Sequence, residues 1–402
     1  MTADDVAREY LNIARALNRL VPGTLDAYPP DPAPIGTVRP AALVRAAGRV
    51  ADMAADVEPA ERGAFLRAQA LACEQAARRL AGQPVTFVDE VRTAFGVRIA
   101  LGSEDTYRAV HSVLAAILPG PGSLAERMAA HRRRDRVPPA RIAAVARAVA
   151  DALQDRMAAR LAVPSGQSVT FRVVADAPWS ALHHYAGGYR SVVTLNAAAG
   201  FRPAQLVQLV AHEVYPGHHT ERCRKEAGIV ARGWFEHRAV VANTPQSLVA
   251  EGAAEIGLSA VVGPAWGRFA EEVLADAGVR CDGALAERID GATSRLARVR
   301  QDAALLMHGF GRPEAEVEVY LRRWMLVDEG RARHVLRFLR DPLWRAYTVA
   351  YVEGSALVRR WWENGGDVER LLDEPLTPEA LRTELARPSN VAAASGARRT
   401  GR

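Results

Sequence analysis

Apolar side chains recur at helical spacing along most of the 402-residue chain, and this pattern dominates the fold prediction. In the first segment Val6, Tyr10, Ile13 and Leu17 fall on one face of a helix. Similar spacing returns in most later segments, interrupted by proline and glycine clusters that end one helix before the next begins. The chain is therefore predicted to be mainly α.

Two segments depart from the helical pattern in the middle of the chain. Residues 168–176 (SVTFRVVAD) and 190–196 (RSVVTLN) are rich in β-branched side chains, which is typical of strands. A glycine-rich connection between them predicts a small antiparallel β-sheet. A helix is then predicted to begin near Pro203, a residue suited to a first helical position, and to continue into His212. We expect the sheet to lie beside this helix.

These patterns divide the chain into three parts. Residues 1–137 are predicted to form an N-terminal helical region. Residues 138–390 contain the sheet and the candidate chemistry, and are expected to pack with the first region as one unit. Residues 391–402 lack hydrophobic periodicity and are predicted to be a disordered tail.

Composition sets the cellular context that we expect. Acidic residues near the start stand where a signal peptide would need a basic segment, and no apolar run approaches the ~18 residues of a membrane span. The cysteines, Cys73, Cys223 and Cys281, are far apart and match no disulfide framework. These features predict a cytoplasmic protein without a membrane partner.

The net charge of +6 raises the question of a nucleic-acid partner. Lys225 is the only lysine, and the arginines are spread over many alanine-rich helices rather than gathered in one stripe. No motif that combines basic and aromatic recognition residues occurs. We therefore predict no nucleic-acid partner.

The segment HEVYPGHHTE, residues 212–221, carries the most specific chemical signal. In the common zinc motif two histidines four residues apart share a helix face, but here Pro216 occupies the fourth position. His218, six residues after His212, would lie about 120° away on a regular helix. Pro216 and Gly217 permit a kink or bulge, and a two-residue bulge would bring His218 into line. His212 and His218 are the preferred ligand pair, with His219 as the alternative ligand or a supporting group.

A hydrolytic zinc site needs a third protein ligand, and Glu251 is the best candidate. It lies in AEGAAEIG, a segment with a helical pattern in which a glutamate is a poor choice for a core. Glu255, four residues later, falls on the same face and could orient a ligand histidine. Glu213 is the predicted catalytic general base that accepts a proton from the attacking water. The predicted cofactor is one Zn²⁺ per chain, with Fe²⁺ as the alternative.

HisGluXXProGlyHisHis, followed by ThrGlu and later by GluGly, resembles a family of bacterial zincin-like proteins. The family is known as a domain of unknown function, and several members are classed as metallopeptidases. The opening segment, the GGYRS and NTPQSL segments and the late YVEG also have counterparts there, in the same order. The resemblance implies a mainly helical zincin-like fold with a small sheet beside the active-site helix. It also implies that His212, His218 and Glu251 bind the metal and that Glu213 is the base.

Further candidates come from the same resemblance and from the connection between the predicted strands. Tyr351 and Arg190 match family segments and could stabilise an oxyanion, although a core tyrosine and a surface ion pair are alternative roles. His183 and His184 could line the site.

Three functions are consistent with these observations. The first is a zinc-dependent hydrolase that cleaves a peptide or other amide bond in a small molecule or short peptide. The second is a non-haem Fe(II) enzyme, because two histidines and one carboxylate also bind Fe(II). The third is a non-catalytic helical binding protein. A glutamate directly after the first histidine favours hydrolysis, since an oxygenase needs no base there.

Overall fold

The computed structural model describes residues 2–29, 38–177 and 179–387 and is mainly α, as predicted. The predicted tail, residues 391–402, lies outside the described residues. The elements of the N-terminal region are α1 (Ala3–Leu20), β1 (Leu25–Ala27), α2 (Pro40–Met53), α3 (Ala60–Leu80), α4 (Phe87–Phe95), α5 (Glu104–Ile117) and α6 (Leu124–Arg133).

The remaining chain contains a small sheet followed by further helices. Its elements in order are α7 (Ile142–Ala158), β2 (Ser168–Val174), β3 (Ala181–Gly187), β4 (Arg190–Asn196), α8 (Pro203–Glu213), α9 (His218–Lys225), β5 (Ala239–Val241), α10 (Pro245–Val262), α11 (Trp266–Asp276), α12 (Gly283–Thr293), α13 (Arg298–His308), α14 (Glu314–Met325), α15 (Glu329–Arg340), α16 (Ser355–Glu363), α17 (Val368–Asp373) and α18 (Pro378–Ala386). A π-helical turn, Ala350–Gly354, precedes α16.

The sheet differs from the predicted antiparallel pair of strands. Its order is β2-β4-β3, and β2 runs parallel to β4. The glycine-rich connection that we expected between the two strands contains a third strand, β3, which pairs with β4 in the antiparallel sense. The chain reverses direction from β2 to β3 and again from β3 to β4, so β4 runs in the same direction as β2. A second, two-stranded antiparallel sheet joins β1 to β5.

Helix α1 illustrates how local sequence sets the helical elements. The Thr2 side chain accepts a hydrogen bond from the Asp5 backbone N–H, and the Asp5 carboxylate accepts one from the Thr2 backbone in return. The predicted apolar face, including Tyr10 and Leu17, is buried. This face shares a hydrophobic core with α2, α3 and β5, so the N-terminal helices pack against a strand from the later part of the chain.

Two larger cores surround the segments that carry the candidate chemistry. One contains residues of α4, α5 and α12 to α15, and therefore joins the N-terminal region to the C-terminal helices. The other packs α7, α8 and α11 against the three-stranded sheet. Both include residues of α10: Leu248 belongs to the first core, and Leu258 and Val261 belong to the second. The boundary near residue 137 stays a prediction.

Helix α10 approaches the π-helical turn very closely, and two glycines make this approach possible. A Cβ on Gly252 would lie 2.4 Å from the Gly354 carbonyl oxygen, and a Cβ on Gly354 would lie 2.3 Å from the Leu248 carbonyl oxygen. Neither position can hold a larger residue without moving a backbone. The two GluGly segments noted in the sequence therefore meet, and they bring the residues around Tyr351 against the face of α10 that carries Glu251.

Within the described residues, no single helix is long and apolar enough to cross a membrane, although the bent pair α10 and α11 passes the same test jointly.

Candidate metal centre

The break between α8 and α9 has the form of a two-residue insertion in a helix. The Gly217 N–H donates to the Ala211 carbonyl at 3.0 Å, and the Thr220 N–H donates to the Val214 carbonyl at 3.2 Å. Each bond spans six residues instead of the usual four. His218 therefore occupies the position relative to His212 that a residue four places later would take on a regular helix.

Gly217 is required at this break because the backbone turns back on itself there. A Cβ on Gly217 would lie 1.7 Å from the His212 carbonyl oxygen and 2.6 Å from that of Ala211. No side chain fits at this distance. The ProGly pair thus allows the two histidines to approach, with imidazole ring centres 4.8 Å apart.

His212, His218 and Glu251 converge on one point between α8, α9 and α10. One potential ligand atom from each lies within 4.8 Å of the others. The Nε2 atom of His212 is 3.1 Å from Oε2 of Glu251, and the Nε2 atom of His218 is 3.7 Å from Oε1 of Glu251. These are the three residues that we predicted as metal ligands.

Glu251 is buried, yet its two oxygens have different surroundings. Oε1 accepts a hydrogen bond of 2.7 Å from the Tyr347 hydroxyl. Oε2 is buried and has no hydrogen-bond partner among the described residues, because the neighbouring His212 nitrogen is close but is not aligned as a donor. A buried carboxylate oxygen without a partner is costly. Two ligand atoms that face a shared cation would have this arrangement.

Each histidine also approaches a second carboxylate. Nδ1 of His212 is 3.5 Å from Oε1 of Glu255, and Nδ1 of His218 is 4.0 Å from Oε2 of Glu221. Glu221 in turn forms a buried ion pair with Lys225 at 2.5 Å. Such contacts fix the ring orientation of metal-binding histidines and leave Nε2 for the metal. The carboxylate predicted to orient a histidine, Glu255, is in place.

The carboxylates control the charge of this cluster. Burial lowers the pKa of His218, but Glu251 and Glu221 outweigh burial and raise the pKa to about 9. The pKa of His212 is likewise raised, because Glu251 and Glu255 overcome the effect of burial. Burial raises the pKa of Glu251, but the two histidines hold it well below its usual range. The cluster attracts positive charge strongly, and a divalent cation would replace the protons.

Two imidazoles and one carboxylate are a ligand set for a catalytic zinc ion with an open position. Their ligand atoms lie close enough to share one ion, the outer carboxylates are present, and the unpartnered Oε2 of Glu251 would gain a partner. The residues therefore fit the predicted Zn²⁺. The same set also fits Fe²⁺.

Glu213 lies beside this cluster at the C-terminal end of α8. It is 8% exposed, and its carboxylate makes no hydrogen bond with the described residues. Burial raises the pKa of Glu213, against the opposing effect of His212 and His218. A carboxylate with a raised pKa and no protein partner is suited to accept and return a proton.

Tyr351 is a further neighbour of His212. Its ring centre is 6.4 Å from that of His212 and 5.4 Å from that of Tyr347. Burial raises its pKa well above the ordinary value, so the hydroxyl keeps its proton. Tyr351 belongs to the π-helical turn, a feature that is frequent at functional sites.

His219 points away from the cluster despite its position next to His218. Its Nδ1 is 2.7 Å from the Ser191 hydroxyl and its Nε2 is 2.7 Å from Oε1 of Gln167. Both ring nitrogens are therefore engaged in bonds to the sheet and the preceding loop. The structure brings His218, rather than His219, to the cluster, and His219 ties α9 to β4.

The remaining candidates occupy β3 and β4. His184 is exposed and hydrogen-bonds Asp26 at 2.7 Å, on the side of the sheet that faces β1. Arg190 is exposed at the start of β4, next to the Gly188 turn. Neither contacts the cluster. His183 bonds the Ser191 hydroxyl at 2.8 Å, and its ring centre lies 5.9 Å from that of His218, so it borders the site.

Sequence reasoning missed two residues that contact the ligands, Glu221 and Tyr347. Glu221 lies three residues after His218, a spacing that puts both on one helix face, so the sequence contained a usable signal. Tyr347 lies four residues before Tyr351 and repeats its aromatic character one turn earlier. Its contact with Glu251 depends on the close approach allowed by Gly252, which spacing does not reveal.

Comparisons with known proteins extend the description of the fold. No protein-family model and no curated protein matches the chain. The fold is similar to that of a putative lipoprotein from Colwellia psychrerythraea, with a TM-score of 0.55 and 15% identity. That match covers 85% of this chain and 65% of the other, so this chain spans about two thirds of its length.

A second solved structure, a putative lipoprotein of unknown function from Shewanella oneidensis, matches with a TM-score of 0.52 and 12% identity. The match covers 87% of this chain and 73% of the other. At these identities the two similarities show a shared fold and carry no assignment of activity.

Proposed function

We propose that this protein is a zinc-dependent hydrolase that cleaves a peptide or other amide bond in a small substrate. The observation that carries this proposal is the convergence of His212, His218 and Glu251, in which the buried Oε2 of Glu251 lies 3.1 Å from Nε2 of His212 and has no hydrogen-bond partner among the described residues. Glu213 favours hydrolysis over iron-dependent oxidation, because a buried base next to the first ligand has a use only when a water must be deprotonated.

When bound, zinc would supply a Lewis acid for the carbonyl group and for the attacking water. Glu213 accepts a proton from that water as the water oxygen forms a bond to the carbonyl carbon. Glu213 then returns the proton to the nitrogen as the C–N bond breaks, so the products are a carboxylic acid and an amine. The Tyr351 hydroxyl is an available donor for the carbonyl oxygen as negative charge develops there.

The protein side of the reaction depends on orientation. Glu255 and Glu221 hold the two imidazole rings, and the Tyr347 hydroxyl holds one oxygen of Glu251. These contacts leave Nε2 of each histidine facing the Glu251 carboxylate, that of His212 near Oε2 and that of His218 near Oε1. Such preorganisation limits the movement that the ligands must make when substrate binds.

The proposal includes a cytoplasmic location and small-molecule or short-peptide substrates, without a nucleic-acid or membrane partner. The three free cysteines support a reducing compartment. Cell fractionation with an antibody tests the location, and recovery of the protein in the membrane fraction would contradict it.

The decisive variant for the function is Glu213→Gln. It should retain zinc and lose hydrolysis of short peptides and acyl-amino acids by at least ~100-fold, as expected for loss of a general base. Elemental analysis and a chromogenic amine assay on the same samples provide both readouts. Retained turnover would remove Glu213 as the base, and stoichiometric iron in place of zinc would favour the iron enzyme.

A further inference from the structure

A concave cavity of about 270 Å³ lies directly beside the candidate metal centre. Tyr351 forms part of its wall, and Arg300 and Arg132 contribute the charged groups. We call it the arginine cavity. This volume is slightly below the range of about 300–1,000 Å³ that is typical of ligand sites, so the cavity suits one small group rather than a folded partner.

One ring contact and one electrostatic interaction relate the arginine cavity to the candidate metal centre. The Tyr351 ring, on the cavity wall, is 6.4 Å from the His212 ring. Glu255, which is 3.5 Å from Nδ1 of His212, acts electrostatically on Arg300. Tyr351 is therefore shared by the wall of the arginine cavity and the surroundings of His212.

Arg300 has no ion-pair or hydrogen-bond partner within the described part of the chain, although it lies close to many protein atoms. Its side chain reaches solvent inside the concave surface, while burial and the charge of Arg331 lower its pKa. Unlike Arg298 nearby, which lies 3.4 Å from a Glu353 oxygen, the Arg300 guanidinium has no carboxylate within ion-pair distance among the described residues. Its five donors are available to a planar anion.

Arg132 adds positive charge that no carboxylate cancels directly. Its guanidinium donates to the carbonyls of Met325, at 3.0 Å, and Leu326. The carbonyls fix the side chain but leave its charge uncompensated. Asp328 acts electrostatically on both Arg132 and Arg331, and its carboxylate accepts a hydrogen bond from the Arg331 backbone.

The rest of the lining combines one free hydroxyl with apolar side chains. Thr348 is 3% exposed, and its hydroxyl has no hydrogen-bond partner among the residues described. Leu296 and Val352 form apolar parts of the wall. An apolar pocket with a few convergent polar groups is the usual form of a small-molecule site. The arginine cavity would bind an anionic group that is attached to a hydrocarbon group.

We propose that the arginine cavity binds the carboxylate of a small substrate, with Arg300 as the main partner, and so selects N-acyl amino acids or short peptides with a free C-terminal carboxylate. The selection of hydrolysed substrates rests on the proposed function, whereas binding of the carboxylate does not. Planar bidentate pairing with arginine suits a carboxylate, and the apolar wall suits the adjoining side chain.

Hydrolysis of matched substrates tests the selection. N-acetyl-leucine and a leucine dipeptide should be cleaved with a KM about 10- to 100-fold lower than their C-terminal amides, as expected for a charge-assisted hydrogen-bonded pair. Arg300→Gln should abolish this preference, while Arg300→Lys should retain part of it. Arg295→Gln, a change at an exposed arginine just before α13, is the matched control and should leave the preference intact. Equal KM values for acid and amide in the unaltered protein would overturn the proposal.

Direct binding separates this inference from the hydrolase proposal. Calorimetry on the zinc-loaded Glu213→Gln protein and on the metal-free protein should show N-acetyl-leucine binding tighter than N-acetyl-leucinamide. Arg300→Gln should remove the difference in both forms. If binding follows Arg300 but no substrate is cleaved, the hydrolase proposal fails and the cavity assignment stands. Tighter binding of inorganic phosphate than of the carboxylate would overturn the assignment.

Discussion

Two buried glutamates, Glu236 and Glu251, have opposite surroundings: the first is paired with an arginine, and the second faces two histidines. Glu236 forms a bidentate pair with Arg62, at 2.7 Å to Nε and 2.9 Å to Nη2. Glu251 faces two imidazoles and one tyrosine hydroxyl, and its Oε2 has no hydrogen-bond partner among the described residues.

The comparison shows which buried carboxylate is paired with a permanent positive charge. Arg62 supplies a permanent positive charge and a matched geometry, so the Glu236 pair needs nothing more. Histidines can give up their protons to a metal, which an arginine cannot do at neutral pH. A carboxylate matched with histidines therefore has a charge that a cation can take over. The predictions below test this distinction.

The largest stability effect is expected from Arg62→Met. Removing the arginine leaves the Glu236 charge buried without a partner, which should lower the free energy of unfolding by ~3–5 kcal/mol. Urea unfolding measures this loss, which should be equal with and without zinc. Arg312→Met, at an exposed pair with Glu316, is the control and should change stability by no more than about 0.5 kcal/mol. A loss below ~1 kcal/mol for Arg62→Met would show that Glu236 does not depend on its partner.

Zinc should stabilise the unaltered protein by binding at Glu251. At a zinc concentration 100 times Kd the free energy of unfolding should rise by ~2.7 kcal/mol. Glu251→Gln should abolish this rise, because the amide is a weak zinc ligand. Thermal unfolding with and without zinc measures it, and Glu379→Gln, at an exposed position of α18, should respond like the unaltered protein. A rise that survives Glu251→Gln would place the zinc elsewhere.

The outer carboxylates should have a smaller effect than the ligand itself. Glu221→Gln and Glu255→Gln weaken the contacts that orient His218 and His212, and each should reduce zinc affinity by about 10- to 100-fold. Competition with a chromophoric chelator measures the affinities. If both variants bind zinc as tightly as the unaltered protein, these carboxylates do not position the histidines.

The smallest effect on stability at neutral pH is expected from histidines that lie outside the candidate metal centre and the arginine cavity. Burial lowers the pKa of His237 well below 6.5, and burial together with Arg202 lowers that of His131 to about 4. The unfolded chain therefore binds more protons below pH 6.5, so stability is full above that pH and falls as the pH decreases, by at most ~1.4 kcal/mol per pH unit for each histidine. His237→Phe should make the free energy of unfolding fall less steeply between pH 7 and 4.5, which urea unfolding measures.

His184 provides the opposite control for this pH dependence. Its hydrogen bond to Asp26 raises its pKa, so it contributes stability that is present at low pH and lost as the pH rises. His184→Gln should therefore make the acid-side fall steeper. An unchanged profile for both variants would show that neither histidine contributes to the pH dependence.

The sequence allowed the helical class and the ligand cluster to be predicted because both depend on local rules. Apolar spacing located the helices, and the rotation per residue identified His218 as the residue that a two-residue insertion would align with His212. Glu251 was recognisable as a glutamate in an otherwise apolar helix. Each of these inferences needs only neighbouring residues and the geometry of a helix.

The rest depends on contacts between distant segments. Strand β3 contains His183 and His184 and ends at the Gly187–Gly188 turn, and its weak strand pattern concealed the parallel pairing of β2 with β4. The arginine cavity joins Arg132, Arg300 and Thr348, which are separated by many helices, and no local pattern connects them. Tyr347 reaches Glu251 only because two glycines let α10 and the π-helical turn approach.

Equilibrium dialysis against zinc, with His218→Ala and His219→Ala compared side by side, tests the central claim most directly. The unaltered protein should bind one zinc per chain. His218→Ala should lose that zinc, because its Nε2 faces Glu251, whereas His219→Ala should keep it, because both of its nitrogens bond Ser191 and Gln167. A protein that binds no zinc, or that loses it only in His219→Ala, would contradict the account.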